Sequence, residues 1–264
     1  MRLYVEGVGL WAPGMQGWEQ GSERLCSLPG SLLQPVEAPR PELLSSREQR
    51  RSGNTVRLAL EVALQAVTGA GLGSASMASV FATAHGDSDI LNYMCQTLAR
   101  APEAVSPTRF HNSVHNAAGG YWSIGRGCRK PLNCLSSGRF TVASGLLDAA
   151  MQLSAGEPRV LLCAYDVPAP EPLHSGMPIE YFFGAGLVLC GQATAASKAR
   201  IDLSTVAADS ASPIADAPLQ QLREDNPAAE LLPLLIALAQ GKAEDVVLAL
   251  NPELGLKLEV APCP

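Results

Sequence analysis

Residues 132–150 read LNCLSSGRFTVASGLLDAA. A strand-like run around Leu132–Leu135 enters a tight polar turn, SSGR at 136–139, and leaves as a helix over about 140–154. Turns of this kind, between a buried strand and a buried helix, are where α/β enzymes often place a nucleophile. Working outward, the apolar run RVLLCAY (159–165) reads as the next strand and AGLVLCG (185–191) as another, with the Pro-rich loop DVPAPEPLHSGMP between them. Upstream, ASVFATA (78–84) is a short buried strand, and residues 2–10 alternate around Leu3, Val5 and Val8, with Gly7 and Gly9 taking the chain into a turn. Two helices lie between these strands: one with Val56, Leu60, Ala63, Leu64 and Val67 at helical spacing, stopped by GAGLG, and one over 89–100 with Ile90, Leu91, Met94 and Leu98 on one face. Strands that are nearly all apolar, alternating with helices, argue for a layered α/β fold whose sheet is covered on both faces.

The 264 residues, 47% of them hydrophobic, suffice for a full core, long for one domain and short for two, so one principal unit with an appended piece is expected. The charge balance of 19 − 25 = −6 leaves no global electrostatic footprint for nucleic acid. LLPLLIALA (231–239) is about half the ~20 residues that cross a bilayer and contains Pro233, and MRLYVEG lacks the apolar core of a secretion signal; a cytoplasmic protein without a membrane span is expected. Seven cysteines without a CxxC pair read as reduced thiols, several of them in apolar strands, and no His/Cys spacing matches a zinc site. Residues 11–47 read as a long excursion. From about 195 the texture changes: ARIDLSTV as a strand, Asn226-Pro227 opening a helix to about 240, and VVLAL and LKLEV flanking NPELG as a hairpin, with no catalytic signature.

RFHNSVHNAAGGYWSIG (109–125) gathers His111, Asn112, His115 and Asn116. His111 and His115, four apart on one helix face, would begin a metal site, but no third ligand has suitable spacing and Asn is a poor partner for zinc. The plainer reading is a set of hydrogen-bonded polar groups in a buried or interfacial region.

The order of these elements and their wording resemble the N-terminal half of the β-ketoacyl synthases, which have the thiolase fold. YVEGVGLWAP is similar to that family's first strand and glycine turn, and FGAGLVLC to its GxGAGxLVL strand. SPTRFHNSVHNAAGGYWSIG looks most like the shortened ketosynthase-like chain-length factors of aryl-polyene and xanthomonadin-type pathways. The resemblance covers about residues 1–205. It implies a layered α/β/α lobe over 1–195 around a mixed five-stranded sheet, and a truncated α+β appendage over 196–264.

Active members of the family carry a nucleophilic Cys at the strand-to-helix turn, where exposed N–H groups and the helix dipole favour a thiolate. Counted back from VLLCAYD, that position falls on Gly138 or Arg139, and neither can form a thioester. A guanidinium there would disfavour the helix start by about 0.3–1 kcal/mol. Cys134 lies inside the strand, away from the electropositive turn, and Ser136 and Ser137 have no GxSxG context. The family's HGTGT-like and NxFGFGG-like segments, which hold its two catalytic histidines, have no counterpart, and all four histidines (85, 111, 115, 174) precede residue 205.

The resemblance therefore implies a non-catalytic subunit, without cofactor or metal of its own, that forms a heterodimer with a Cys-bearing ketosynthase. The substrate would ride on the phosphopantetheine of an acyl carrier protein. By position, Arg109, Phe110, His111, Ser113 and Asn116, with Met94, become candidates for lining the acyl tunnel at the interface. Bulk at a tunnel's end opposes each added unit by overpacking. A half-sized lobe would leave apolar surface for a partner, so that the chain expressed alone would be poorly soluble. The alternatives are a stand-alone thioesterase or acyltransferase, using Cys134 or a turn serine with His111 or His115, and a scaffold docking the carrier protein on Arg47–Arg51 or Arg126–Lys130.

Overall fold

The computed structural model describes residues 1–28, 33–73, 76–207 and 211–263. Strand β1 (Arg2–Ala12) runs straight through Gly7 and Gly9 instead of turning at them, and ends in a short pairing with β2 (Met15–Gln16). The glycines serve a close approach. A Cβ on Gly9, or on Gly186 of the neighbouring strand, would lie 2.2 or 2.3 Å from the Val62 carbonyl oxygen, so only glycine lets the helix α3 (Asn54–Gly69) settle onto the sheet. Within the 11–47 excursion lies a helix that the sequence reading lacks, α1 (Trp18–Cys26), which buries only Gly21 and Leu25. A single capped turn, α2 (Ser46–Gln49), precedes α3.

The chain continues through β3 (Ala78–Ala82), α4 (Ser88–Arg100), α5 (Pro107–Asn112), α6 (Ala117–Arg126), β4 (Leu132–Leu135) and α7 (Thr141–Ser154). Then come β5 (Arg159–Asp166), β6 (Phe183–Cys190), β7 (Ala199–Ala207), α8 (Ala217–Asp225), α9 (Leu232–Gln240), β8 (Glu244–Ala249) and β9 (Leu254–Pro262). The expected helix after Asn226 starts as a 3-10 segment over Pro227–Leu231 and becomes α-helical at Leu232, and α8 precedes it unannounced.

The sheet is mixed, as expected, but among the described residues has nine strands rather than five, in the order β4-β3-β5-β6-β1-β7-β9-β8 with β2 on β1. β3 is parallel to β4 and β5, and the remaining pairs are antiparallel. The five strands of residues 1–195 are all present; the extension arises because β1 is not an edge, and its Arg2–Val5 segment pairs with Ala199–Asp202 of β7. No break in the sheet marks the 195/196 boundary.

Helices cover both faces. α3 and α6 pack Leu58, Val62, Ala66 and Trp122 on Phe81, Leu161, Cys163 and Val188. On the opposite face α1, α7, α8 and α9 pack on Val80, Leu162, Leu187 and Leu258. Alternate residues of β5, Leu161 and Leu162, enter different clusters, as the two-residue period of a strand covered on both sides requires. No helix among the described residues is long and apolar enough to cross a membrane.

Candidate functional site

The turn that follows β4 is built by its own side chains. Gly138 takes a φ of +55°, a left-handed conformation that glycine adopts without strain, and the 3-10 segment Gly138–Phe140 leads into α7. Thr141 Oγ1 accepts from Ser137 N–H (2.9 Å) and donates to the Gly138 carbonyl (2.6 Å). Ser136 Oγ donates to the Ala84 carbonyl at 2.8 Å, fastening the turn to the end of β3.

Arg139 sits at the turn but does not burden the start of α7 as expected. Its guanidinium reaches the C-terminal end of α8, donating from Nη1 to the Glu224 carbonyl (2.6 Å) and from Nη2 to the Arg223 carbonyl (3.4 Å). A helix C-terminus favours a cation, so the charge is stabilised where it ends. Nη2 also lies 3.6 Å from Glu230 Oε1, while Glu230 Oε2 takes Arg223 Nε and Nη2 at 2.9 and 2.7 Å. Arg223, only 7% exposed at its side chain, also donates through Nη1 to the Ser212 carbonyl. One carboxylate thus joins two guanidinium groups and ties the turn to segment 212–230.

Asp166, buried at the end of β5, accepts at Oδ1 from Thr83 Oγ1 (2.7 Å), Ala84 N–H (3.0 Å) and His85 N–H (3.3 Å). Burial outweighs these donors and pushes its carboxyl up to about 6. Burial likewise pushes the Cys134 thiol up to about 11, the opposite of what a nucleophile requires.

The 106–116 stretch is a short helix and a turn, not one helix. Ser106 caps α5 by accepting from Arg109 N–H, and α5 ends at Asn112, whose side chain is drawn inward: Nδ2 donates to the Arg51 carbonyl (3.0 Å) and Oδ1 accepts from Tyr121 Oη (3.3 Å). His111 and His115 therefore share no helix face, which corrects the expected spacing, and the described residues contain no metal-binding cluster. His115 Nε2 lies 3.4 Å from the Thr83 carbonyl. Neither histidine hydrogen-bonds Cys134, Ser136 or Ser137 among the described residues.

Between α5, α6 and residues 43–51 lies an open groove of about 570 Å³, mostly apolar, floored by Leu43, Leu44, Val114, Ala117, Gly120 and Ile124. His111 and Asn116 line it; the other candidates lie around it. Arg109 stacks on Tyr93 of α4 at 4.1 Å, Ser113 Oγ donates to the Phe110 carbonyl, and Phe110 is 60% exposed. Met94 is half-buried on α4, where the expected apolar face is covered only at Ile90, with Leu91 and Leu98 exposed. Val114, Gly120 and Ile124 were not among the candidates; their signal is an apolar or small residue recurring at 114, 117, 120 and 124 on the outer side.

A family profile described as "Beta-ketoacyl synthase, N-terminal domain" matches residues 18–244. No curated protein shows significant similarity to the chain. Among solved structures, a chain of the ketosynthase (ApeO) in complex with its chain length factor (ApeC) from Xenorhabdus doucetiae is 20% identical, with 98% of this chain and 99% of that one covered at a TM-score of 0.75. A chain of the ishigamide ketosynthase/chain length factor is 15% identical over 100% of both chains, TM-score 0.74. A chain of a type II polyketide synthase acyl-carrier protein in complex with its ketosynthase bound to the hexaketide is 11% identical over 99% of both, TM-score 0.76. With the sheet order, the helices on both faces and the strand-to-helix turn already in place, the chain belongs to the β-ketoacyl synthase family and has its thiolase-like fold.

Proposed function

We propose that this chain is a chain-length factor: a non-catalytic subunit that pairs with an active β-ketoacyl synthase and shapes the tunnel in which the partner's acyl or polyene product grows. Arg139 carries the reading. At the turn where the family holds its nucleophile, this chain places a guanidinium engaged by α8 carbonyls, and its nearest thiol, Cys134, is held protonated by burial. Bond formation then falls to the partner, as a decarboxylative condensation of a carrier-bound acyl thioester with a carrier-bound malonyl group. Both substrates travel on phosphopantetheine, and this chain needs no cofactor.

The surface supports pairing. Among the described residues β4 ends the sheet with one edge unpaired, and α6, which packs on β4, exposes Ile124 at 83%; Val114 is 52% and Phe110 60% exposed. An unpaired edge next to exposed apolar side chains favours association with another chain. The likeness in fold to chains from ketosynthase–chain length factor complexes supports the same reading. Co-expression with candidate Cys-bearing ketosynthases is expected to yield a 1:1 complex with one of them, whose product length responds to substitutions in the groove. A chain that stays monomeric and never alters product length would overturn the proposal. An electrophilic acyl-thioester probe is expected to leave the isolated chain unlabelled; an adduct on Cys134 or a turn serine would favour the stand-alone enzyme instead.

A further inference from the structure

In a chain of net charge −6, Arg47, Arg50 and Arg51 lie on or just after α2, and Arg40 and Arg57 flank it in sequence. Three of them, Arg40, Arg50 and Arg57, line a hollow of about 300 Å³ together with Ser46 and Gln49, and no carboxylate lines it. Among the described residues none of the three forms an ion pair. Glu48, two residues before Arg50, is turned back on its own helix start, where Oε2 accepts from Ser45 N–H (2.9 Å) and Ser45 Oγ (2.6 Å). Arg40 also lines a neighbouring hollow with Glu19, Glu42 and Glu61, and none of these acids forms an ion pair with the three arginines among the described residues.

The inner arginine is fixed in place. Arg57 Nη2 donates to the carbonyls of Gln49 (2.8 Å) and Ser52 (3.3 Å), and its Nε is buried without a partner. Gln49 is held as well, its amide donating to the carbonyls of Pro41 and Leu44. Three guanidinium groups around one recess repel each other unless an anion stands between them, and their forked donors suit a tetrahedral oxyanion.

We propose that the hollow between Arg40, Arg50 and Arg57 is a binding site for a phosphate-class oxyanion. The hollow shares no lining side chain with the groove or the turn, although Arg50 belongs to the Arg47–Arg51 cluster weighed above for carrier-protein docking. Inorganic phosphate and an organic phosphate ester present the same chemistry to it.

Titration calorimetry of the full chain with inorganic phosphate, at ionic strength matched by sodium chloride, tests the site. Saturable one-site binding is expected, weakened about tenfold or more by Arg40→Ala or Arg50→Ala. Both side chains are exposed, so neither substitution should threaten folding. Arg47→Ala, on α2 but outside the hollow, should change affinity less than about twofold, since surface charge acts there only through screening. Coenzyme A run in parallel separates the sources: equal affinity means that the phosphate group alone is recognised, and tighter binding means an organic ester. Heats no different from chloride, or Arg47→Ala weakening binding as much as Arg50→Ala, would overturn the site.

Discussion

The turn at 136–140 and the groove at 107–125 are neighbours along the chain and opposites in construction. In the turn nearly every polar group is answered: Ser136 by Ala84, Thr141 by Ser137 and Gly138, Arg139 by α8 and Glu230. The groove is wide, apolar and bounded by exposed Val114 and Ile124. At the turn, where the family's chemistry resides, this chain's polar groups are held by hydrogen bonds to the surrounding fold, while the groove is open and apolar. Substitutions in the turn should therefore cost stability, and substitutions in the groove should alter association or product while sparing the fold.

Glu230→Ala should give the largest effect on the turn side. It leaves the buried Arg223 guanidinium without its carboxylate, and removing one partner of a buried pair costs about 3–5 kcal/mol. Urea denaturation reads this directly. Arg139→Ala should cost only about 1 kcal/mol, because its side chain is 53% exposed and its ion pair is long. Equal losses in the two variants would mean that Arg139 holds the turn as strongly as the buried Arg223–Glu230 pair does.

Asp166 gives the turn region a pH signature. Its carboxyl, pushed up to about 6 from an ordinary value of 3.8, holds its proton more tightly folded than unfolded. The stabilisation is complete below the unfolded value and is lost as pH rises through 6. At about 1.4 kcal/mol per unit this amounts to roughly 3 kcal/mol between pH 4 and 7. Asp166→Asn should flatten that slope by removing the titrating group; the donors from Thr83 and His85 reach Oδ1, where an amide oxygen can receive them, while Ala84 N–H is shared between Oδ1 and Oδ2 (3.0 and 3.3 Å). A slope unchanged in the variant would assign the pH dependence to another group.

Much of this contrast is legible in the sequence, and what is not has identifiable causes. β5 announces itself as an unbroken apolar run buried on both faces, and α7 by burial that follows the helical period. α1 and α8 do not, because α1 buries only two residues and α8 only Leu219, Leu222 and Arg223, too few to mark a period. The nine-stranded sheet depends on β1 meeting β7, a pairing across about 200 residues that no local pattern encodes. At the site, counting reaches Gly138 or Arg139, but the acceptors of Arg139 on α8 lie 84 and 85 residues away and are carbonyl groups, silent in sequence. The histidines mislead by spacing: positions 111 and 115 suggest one helix face, and the inward pull on Asn112 ends the helix between them. The groove was hidden because Leu43 and Leu44 come from a Pro-rich stretch that reads as a loop.

On the groove side, Ile124→Asp should separate association from folding. The side chain is 83% exposed, so the isolated chain should keep its stability within about 0.5 kcal/mol. If Ile124 is an anchor of the heterodimer, a buried unpaired carboxylate should weaken the complex by about tenfold to a hundredfold in Kd. Analytical ultracentrifugation with the co-expressed ketosynthase measures it, and an unchanged Kd would move the interface off α6.

Gly120→Leu should have the smallest effect on the protein itself and the most specific effect on its product. A Cβ at Gly120 meets nothing within 4 Å, so a larger side chain enters the groove without displacing a neighbour. Leucine is also a better helix former than glycine, so the isolated chain should gain up to about 1 kcal/mol. The added isobutyl group narrows the space that a growing chain would occupy, and each further unit must then overpack against it. Product from the complex should shift to shorter chains at unchanged complex stoichiometry, read by mass spectrometry of the carrier-bound acyl groups. If the variant is as stable as expected and the product distribution does not move, the groove is a contact surface and the acyl chain grows elsewhere.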